Sequence, residues 1–86
     1  VTLYIILSYD ARADRTQIYK KIAGRFLQHT HYSVFEGHVT ESQFMKLCSY
    51  IEKEVKVDES LVIWTFETKS QFKKIVFGYQ EEFNII

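Results

Sequence analysis

An α+β sandwich, with two helices on one face of a largely antiparallel sheet, is the fold class this sequence predicts. Three observations carry it. Residues 3–9 (Leu-Tyr-Ile-Ile-Leu-Ser-Tyr) are almost continuously apolar and β-favouring. Two stripes of apolar residues at helical spacing follow, one before residue 28 and one after residue 43. β-rich stretches come after each stripe.

Each element has its own local reason. The 3–9 run is apolar on both faces, which marks a central strand, and it stops at Asp10. Asp14 with Gln17 three residues on has the spacing of a capping box, so a helix is expected from there. Ile18, Tyr19, Ile22, Ala23, Phe26 and Leu27 form its apolar stripe, while Lys20, Lys21 and Arg25 fall off it and face outward. Residues 29–39 are rich in aromatic and β-branched side chains and read as two short strands or one kinked strand, with Ser33 and Gly37 allowing a bend.

Thr40 and Gln43 repeat the capping signature, and Phe44, Leu47, Cys48, Ile51 and Val55 give a second amphipathic helix. Residues 61–66 (Leu-Val-Ile-Trp-Thr-Phe) are a further strand, residues 69–74 a polar link, and 75–79 a last strand. The order is a ferredoxin-like βαββαβ sandwich with an additional C-terminal strand, one domain over residues 1–86. Helices on one side leave the other sheet face uncovered within the chain. A homodimer packed through the sheet faces would cover it; Trp64 and the surplus aromatics capping it themselves is the alternative.

Composition excludes several classes. The chain is 47% hydrophobic and 16% aromatic, which a disordered segment is not. Cys48 is the only cysteine, so no disulfide scaffold forms within the chain. No apolar run approaches the roughly 20 residues of a membrane span and the start does not read as a signal peptide, so a cytoplasmic domain is expected. Eleven basic residues balance eleven acidic ones, yet five of the basic ones (Arg12, Arg15, Lys20, Lys21, Arg25) fall between residues 12 and 25 beside a single acid, Asp14. Such segregation leaves a basic face on a neutral protein, although a merely solvated helix face has the same pattern.

Asp10 is the most informative chemical position. A carboxylate at the end of a rigid central strand is well placed to hold metal or substrate, and equally well placed to cap a turn. One carboxylate is a sparse Mg²⁺ site, but Mg²⁺ often takes one or two carboxylates together with phosphates and waters, so a dimer bringing two Asp10 residues together meets the requirement. Arg12 and Arg15 just downstream can grip phosphate oxygens as planar forks. His29 and His31, two apart on a strand, share a face; with no further ligands at telling spacings they are not a zinc site. Cys48 lies on an apolar stripe, where an inert buried thiol is expected. Tyr32, Phe35 and Tyr79 can stack on bases or serve as core.

Taken together, Ile-Ile-Leu-Ser-Tyr-Asp at 5–10, Tyr-Ser-Val-Phe-Glu-Gly at 32–37 and Ile-Val-Phe-Gly-Tyr at 75–79 resemble the CRISPR-associated Cas-two family over nearly the whole chain. The resemblance implies a ferredoxin-like homodimer whose terminal segment, about residues 75–86, packs on the partner protomer. It implies a role in spacer acquisition for antiviral defence beside the Cas-one integrase. It also implies a metal-dependent endonuclease acting on single-stranded RNA or double-stranded DNA with Mg²⁺, or Mn²⁺ in its place. A non-catalytic architectural dimer bridging integrase subunits and a stand-alone toxin-type endoribonuclease of the same fold are the alternatives.

By position, Asp10 matches the aspartate proposed to hold the metal with its dimer mate. Arg15 matches a basic position at the helix start, and Tyr9, Ser33 and Phe35 are supporting positions. The expected nucleic-acid contacts are Arg12, Arg15, Lys20, Lys21, Arg25, His29 and His31. His29 and His31 stand where the family usually carries Arg and Gln, and Gln17 where some members have a second arginine. An imidazole in place of a fixed charge makes the grip on phosphate depend on pH. If either histidine contacts phosphate, binding at constant salt strengthens as the pH falls toward about 6, and flat affinity between about pH 6 and 8 overturns that role.

Overall fold

The structure, a computed structural model, describes residues 2–67 and 75–78. Its elements are β1 (Thr2–Asp10), a single 3-10 turn (Ala13–Arg15), α1 (Thr16–Gly24), β2 (Gln28–His31), β3 (Val34–Thr40), α2 (Glu41–Glu54) and β4 (Ser60–Phe66). The four strands form one sheet in the order β2-β3-β1-β4, every neighbouring pair antiparallel. β1 and β2 are therefore parallel and joined by α1, and β3 and β4 are parallel and joined by α2. This is the expected ferredoxin-like arrangement.

β1 is central, as its two-faced apolarity predicts. The pleat sends Ile5, Leu7 and Tyr9 to one face, where they meet Phe35 and Val39 from β3 and Leu61 and Ile63 from β4. Tyr19, Ile22 and Ala23 of α1 and Leu47 of α2 close that layer from above. The opposite face carries Tyr4, Ile6 and Ser8 between β3 (Val34, Glu36, His38) and β4 (Val62, Trp64, Phe66). No helix covers it among the described residues. Trp64 stays 50% exposed, so it does not close the face. Tyr4 and Glu36 are nonetheless buried there and paired, the hydroxyl donating to Glu36 Oε2 at 2.8 Å. Burial and that carboxylate push the Tyr4 hydroxyl well above its ordinary range.

Several local expectations are refined. The Thr40–Gln43 capping box is present in full: Gln43 N–H donates to Thr40 Oγ1 at 3.1 Å, and Thr40 N–H to Gln43 Oε1 at 2.9 Å. The Asp14–Gln17 box is not formed. The chain enters α1 through the 3-10 turn, so Asp14 sits inside that turn and its carboxylate swings to Arg12 at 3.4 Å. α1 also ends earlier than its stripe: Phe26 and Leu27 lie beyond Gly24, tied back by N–H donation to the Ala23 carbonyl, and Leu27 is still buried. Val55 is likewise the exposed cap of α2 rather than a member of its apolar face.

The strand break between residues 29 and 39 falls at Tyr32–Ser33, and Tyr32 takes a φ of 32° to close it. The sequence predicts a last strand over 75–79. Residues 75–78 have no regular secondary structure in the single chain, and Tyr79, the link at 69–74 and the 84–86 end lie outside the described residues.

Leu47 is fully buried between the sheet and α1, so Leu47→Ala should cost about 2–5 kcal/mol of stability in urea melts. Thr40→Ala removes half of the capping box and should cost about 1 kcal/mol with the fold retained. Equal effects from the two variants would contradict this placement of the core.

Candidate active site at the Asp10 end of the sheet

Strand register gathers one end of the sheet. β1 finishes at Asp10, which pairs with Ser60 at the start of β4, and Ser8 pairs with Val34 at the start of β3. Tyr9 N–H donates to the Ser33 carbonyl at 3.2 Å, which ties the β2–β3 turn to the end of β1. Asp10, Ser33, the exposed His31 and Tyr32, and the loop carrying Arg12 thus lie at one edge. The Asp10 carboxylate is exposed, and among the described residues it forms no hydrogen bond or ion pair. Among those residues there is also no cluster of three or more His, Cys, Asp or Glu side chains that could hold a metal ion. The described residues therefore offer one carboxylate at this edge, which fits Mg²⁺ when waters and oxygens from a second protomer or from substrate phosphates complete the shell.

Arg15 does not point at this edge as a phosphate fork. Its Nε donates to Glu59 Oε2 at 2.6 Å, and its Nη2 donates to the Glu54 carbonyl at 2.7 Å and to the Tyr19 hydroxyl at 3.3 Å. Tyr19 in turn donates to Glu59 Oε1, and Lys56 N–H does so at 3.0 Å. The Arg15 side chain is 14% exposed and that of Glu59 1%, so the Nε and Nη2 side of the guanidinium is engaged in joining the start of α1 to the α2–β4 connection. The Arg15 fork holds the Glu59 carboxyl down, to about 2. The guanidinium is held charged even more firmly than usual by the same bonds.

The histidines separate as well. Both His29 and His31 pair with adjacent residues of β3, Phe35 and Val34, so Thr30 is an extra residue in a β-bulge. The bulge cancels the two-residue alternation that would put both on one face. His29 is buried, its ring stacked on Phe35 at 4.4 Å and its Nε2–H donating to the Tyr32 carbonyl. His31 is exposed, its ring edge against Tyr32. Only His31 can meet a phosphate directly.

Tyr9 and Phe35 are core residues whose rings pack 6.3 Å apart, and burial pushes the Tyr9 hydroxyl up. Of the remaining basic residues, Arg12 is exposed in a loose pair with Asp14. Lys20, Lys21 and Arg25 lie along α1, which runs back from the Asp10 end, and Arg25 sits over the Tyr50 ring at 5.2 Å. Cys48 is half-buried, and burial with nearby Glu52 raises its thiol, as an inert role requires.

Comparison with known proteins agrees with this geometry. The family model described as CRISPR associated protein Cas2 matches residues 3–75. The chain belongs to the Cas2 family. Among curated Cas2 relatives, the CRISPR-associated endoribonuclease Cas2 of Haloferax volcanii is 36% identical over 80 residues, which is 93% of each chain. The protein of the same name from Methanothermobacter thermautotrophicus is 30% identical, covering 94% of this chain and 90% of its own. A solved structure described as a crystal structure of cas2 superposes with a TM-score of 0.86 at 30% identity, over 94% of this chain and 92% of that one.

The residues that sequence reading missed are Glu59 and Tyr19, the partners of Arg15. Glu59 is 44 positions away and lies in an acidic stretch that reads as solvated. Because its pKa is lowered, Glu59 contributes stability that is present above its ordinary range near 4.5 and lost as the pH falls toward about 2. Glu59→Gln should therefore lower the melting temperature at neutral pH and flatten the acid limb between about pH 5 and 2. An unchanged acid limb, followed by circular dichroism, would remove the network from this role.

Proposed function

We propose that this Cas2 chain is a CRISPR-associated, metal-dependent endoribonuclease that works as a homodimer in the cytoplasm, with Asp10 from each protomer holding Mg²⁺ or Mn²⁺. The observation that carries the reading is the exposed, unengaged carboxylate at the end of the central strand, beside a turn that the fold braces. The endoribonuclease names of its relatives support RNA as substrate. The second sheet face, which no described helix covers and where Val62 and Trp64 are exposed, supports the dimer. A bound divalent cation supplies charge neutralisation at the phosphate and a water of lowered pKa. The chain's own part is to hold Asp10 rigidly and to offer Arg12 and His31 for the substrate backbone. Action beside the Cas-one integrase in spacer acquisition, which the family resemblance implies, belongs to the same proposal.

One observation favours a second reading. Arg15 and His29, two of the expected phosphate contacts, are bound into the fold. Of the other expected contacts, Lys20 and Lys21 lie on α1 with Arg25 at its end, where they suit a duplex backbone held without cleavage. That is the architectural dimer bridging integrase subunits, with double-stranded DNA as its ligand.

Cleavage of labelled single-stranded RNA and double-stranded DNA separates the two, with Mg²⁺, Mn²⁺ or chelator, for wild type and Asp10→Ala at matched dimer content. The nuclease reading expects Mg²⁺-dependent RNA cleavage that falls at least about a hundredfold in Asp10→Ala, since a metal's charge stabilisation is worth several kcal/mol. Cleavage that survives the substitution overturns it. Duplex binding without cleavage under any of these conditions establishes the scaffold instead.

A further inference from the structure

Tyr32 is the one described residue other than glycine with a positive φ, at 32°, and it is also 82% exposed. A side chain in this region is strained, and a two-residue hairpin turn is closed with less strain by glycine or asparagine. The ring returns nothing to the core for that strain: its ring contact among the described residues is the edge of exposed His31, at 4.3 Å between centroids. The backbone beneath it is held firmly. His29, buried on Phe35, donates to the Tyr32 carbonyl; Thr30 Oγ1 donates to the Val34 carbonyl at 3.3 Å; and Tyr9 N–H donates to the Ser33 carbonyl. A strained, braced backbone presenting a bare aromatic ring serves a ligand rather than the fold.

We propose that Tyr32 is a stacking platform for an unpaired nucleobase, directing single-stranded nucleic acid to the Asp10 end of the sheet. A flat ring on a fixed turn suits any base with an open π-face, whereas bases inside a duplex have both faces occupied by their neighbours. The Ser33 carbonyl bonded to Tyr9 N–H sets the platform beside Asp10, so a stacked base brings its own backbone phosphates to that carboxylate's edge. The inference deepens the nuclease reading by assigning the grip on a single strand to the Tyr32 ring, and it rests on that reading only for the use made of the bound strand.

Binding measured in chelator separates the two. Wild type, Tyr32→Gly, Tyr32→Phe and Tyr32→Trp are titrated with a single-stranded RNA, the matching single-stranded DNA and the duplex DNA, with melting temperature and dimer content followed for each. Tyr32→Gly should keep or raise the melting temperature, lose about tenfold in single-strand affinity and leave duplex affinity unchanged, while Phe and Trp retain single-strand binding. Equal loss on RNA and DNA single strands assigns the effect to the base; loss on RNA alone assigns the ribose a share. The proposal is overturned if wild type binds no single strand, if Tyr32→Gly binds it as well as wild type, if duplex binding falls in parallel, or if the substitution changes dimer content. Tyr32-dependent binding with no cleavage in Mg²⁺ would leave the platform standing and remove the nuclease.

Discussion

β1 is the constraint on which the rest depends. Among the described strands it alone lies between two neighbours, neither of which adjoins it in chain order, and its residues pair with β3 from Thr2 to Ser8 and with β4 from Tyr4 to Asp10. Because its pleat alternates, Ile5, Leu7 and Tyr9 require a cover on one side and Tyr4, Ile6 and Ser8 meet whatever lies on the other. Both helices are spent on the first side. The second side, which no described helix covers, carries a buried tyrosine–glutamate pair flanked by the half-exposed Trp64. Glu36 accepting from the Tyr4 hydroxyl satisfies both polar groups at the centre of this face.

The Arg15 network does for the loops what β1 does for the strands. The segment from Asp10 to α1 and the segment from α2 to β4 have no ladder between them beyond Asp10–Ser60. Arg15 joins them through Glu59, Tyr19 and the Glu54 carbonyl, three partners around one planar group. Arginine suits this because its fork can satisfy a carboxylate and a carbonyl at once in fixed geometry. A charged residue beside a candidate site can therefore affect that site without touching substrate, by fixing the segment that follows the carboxylate's strand.

How far the sequence could be read follows from the range of the interactions involved. The strands and helices were legible because apolar periodicity is local, and so was the capping box at Thr40, since both of its bonds lie within three residues. The family resemblance was legible too, and so was Asp10 as the end of an apolar run. The role of Arg15 was not, because its partner is 44 residues distant and local charge counting shows only a basic cluster. Nor was the separation of His29 from His31: a single inserted residue at Thr30 reverses the alternation, and nothing in His-Thr-His announces a bulge. The Asp14 box failed for a local reason that spacing cannot express, since a 3-10 turn winds more tightly than the helix the box assumes.

These corrections change what the Asp10 end must obtain from elsewhere. With Arg15 and His29 bound into the fold, the described residues of one chain bring a single carboxylate, the exposed Arg12 and an exposed histidine to this edge. One carboxylate leaves most of a divalent cation's oxygen shell to other donors. Under the proposed dimer the same event answers both deficits of the monomer, covering the apolar sheet face and adding a second carboxylate. A chain in which Asp10 acted alone would have no use for the exposed Val62 and Trp64. A chain built only to dimerise would have no use for a strained tyrosine braced beside an unengaged aspartate. The two features occupy different parts of the sheet, its open face and its end, and a two-fold assembly gives a physical reason for both.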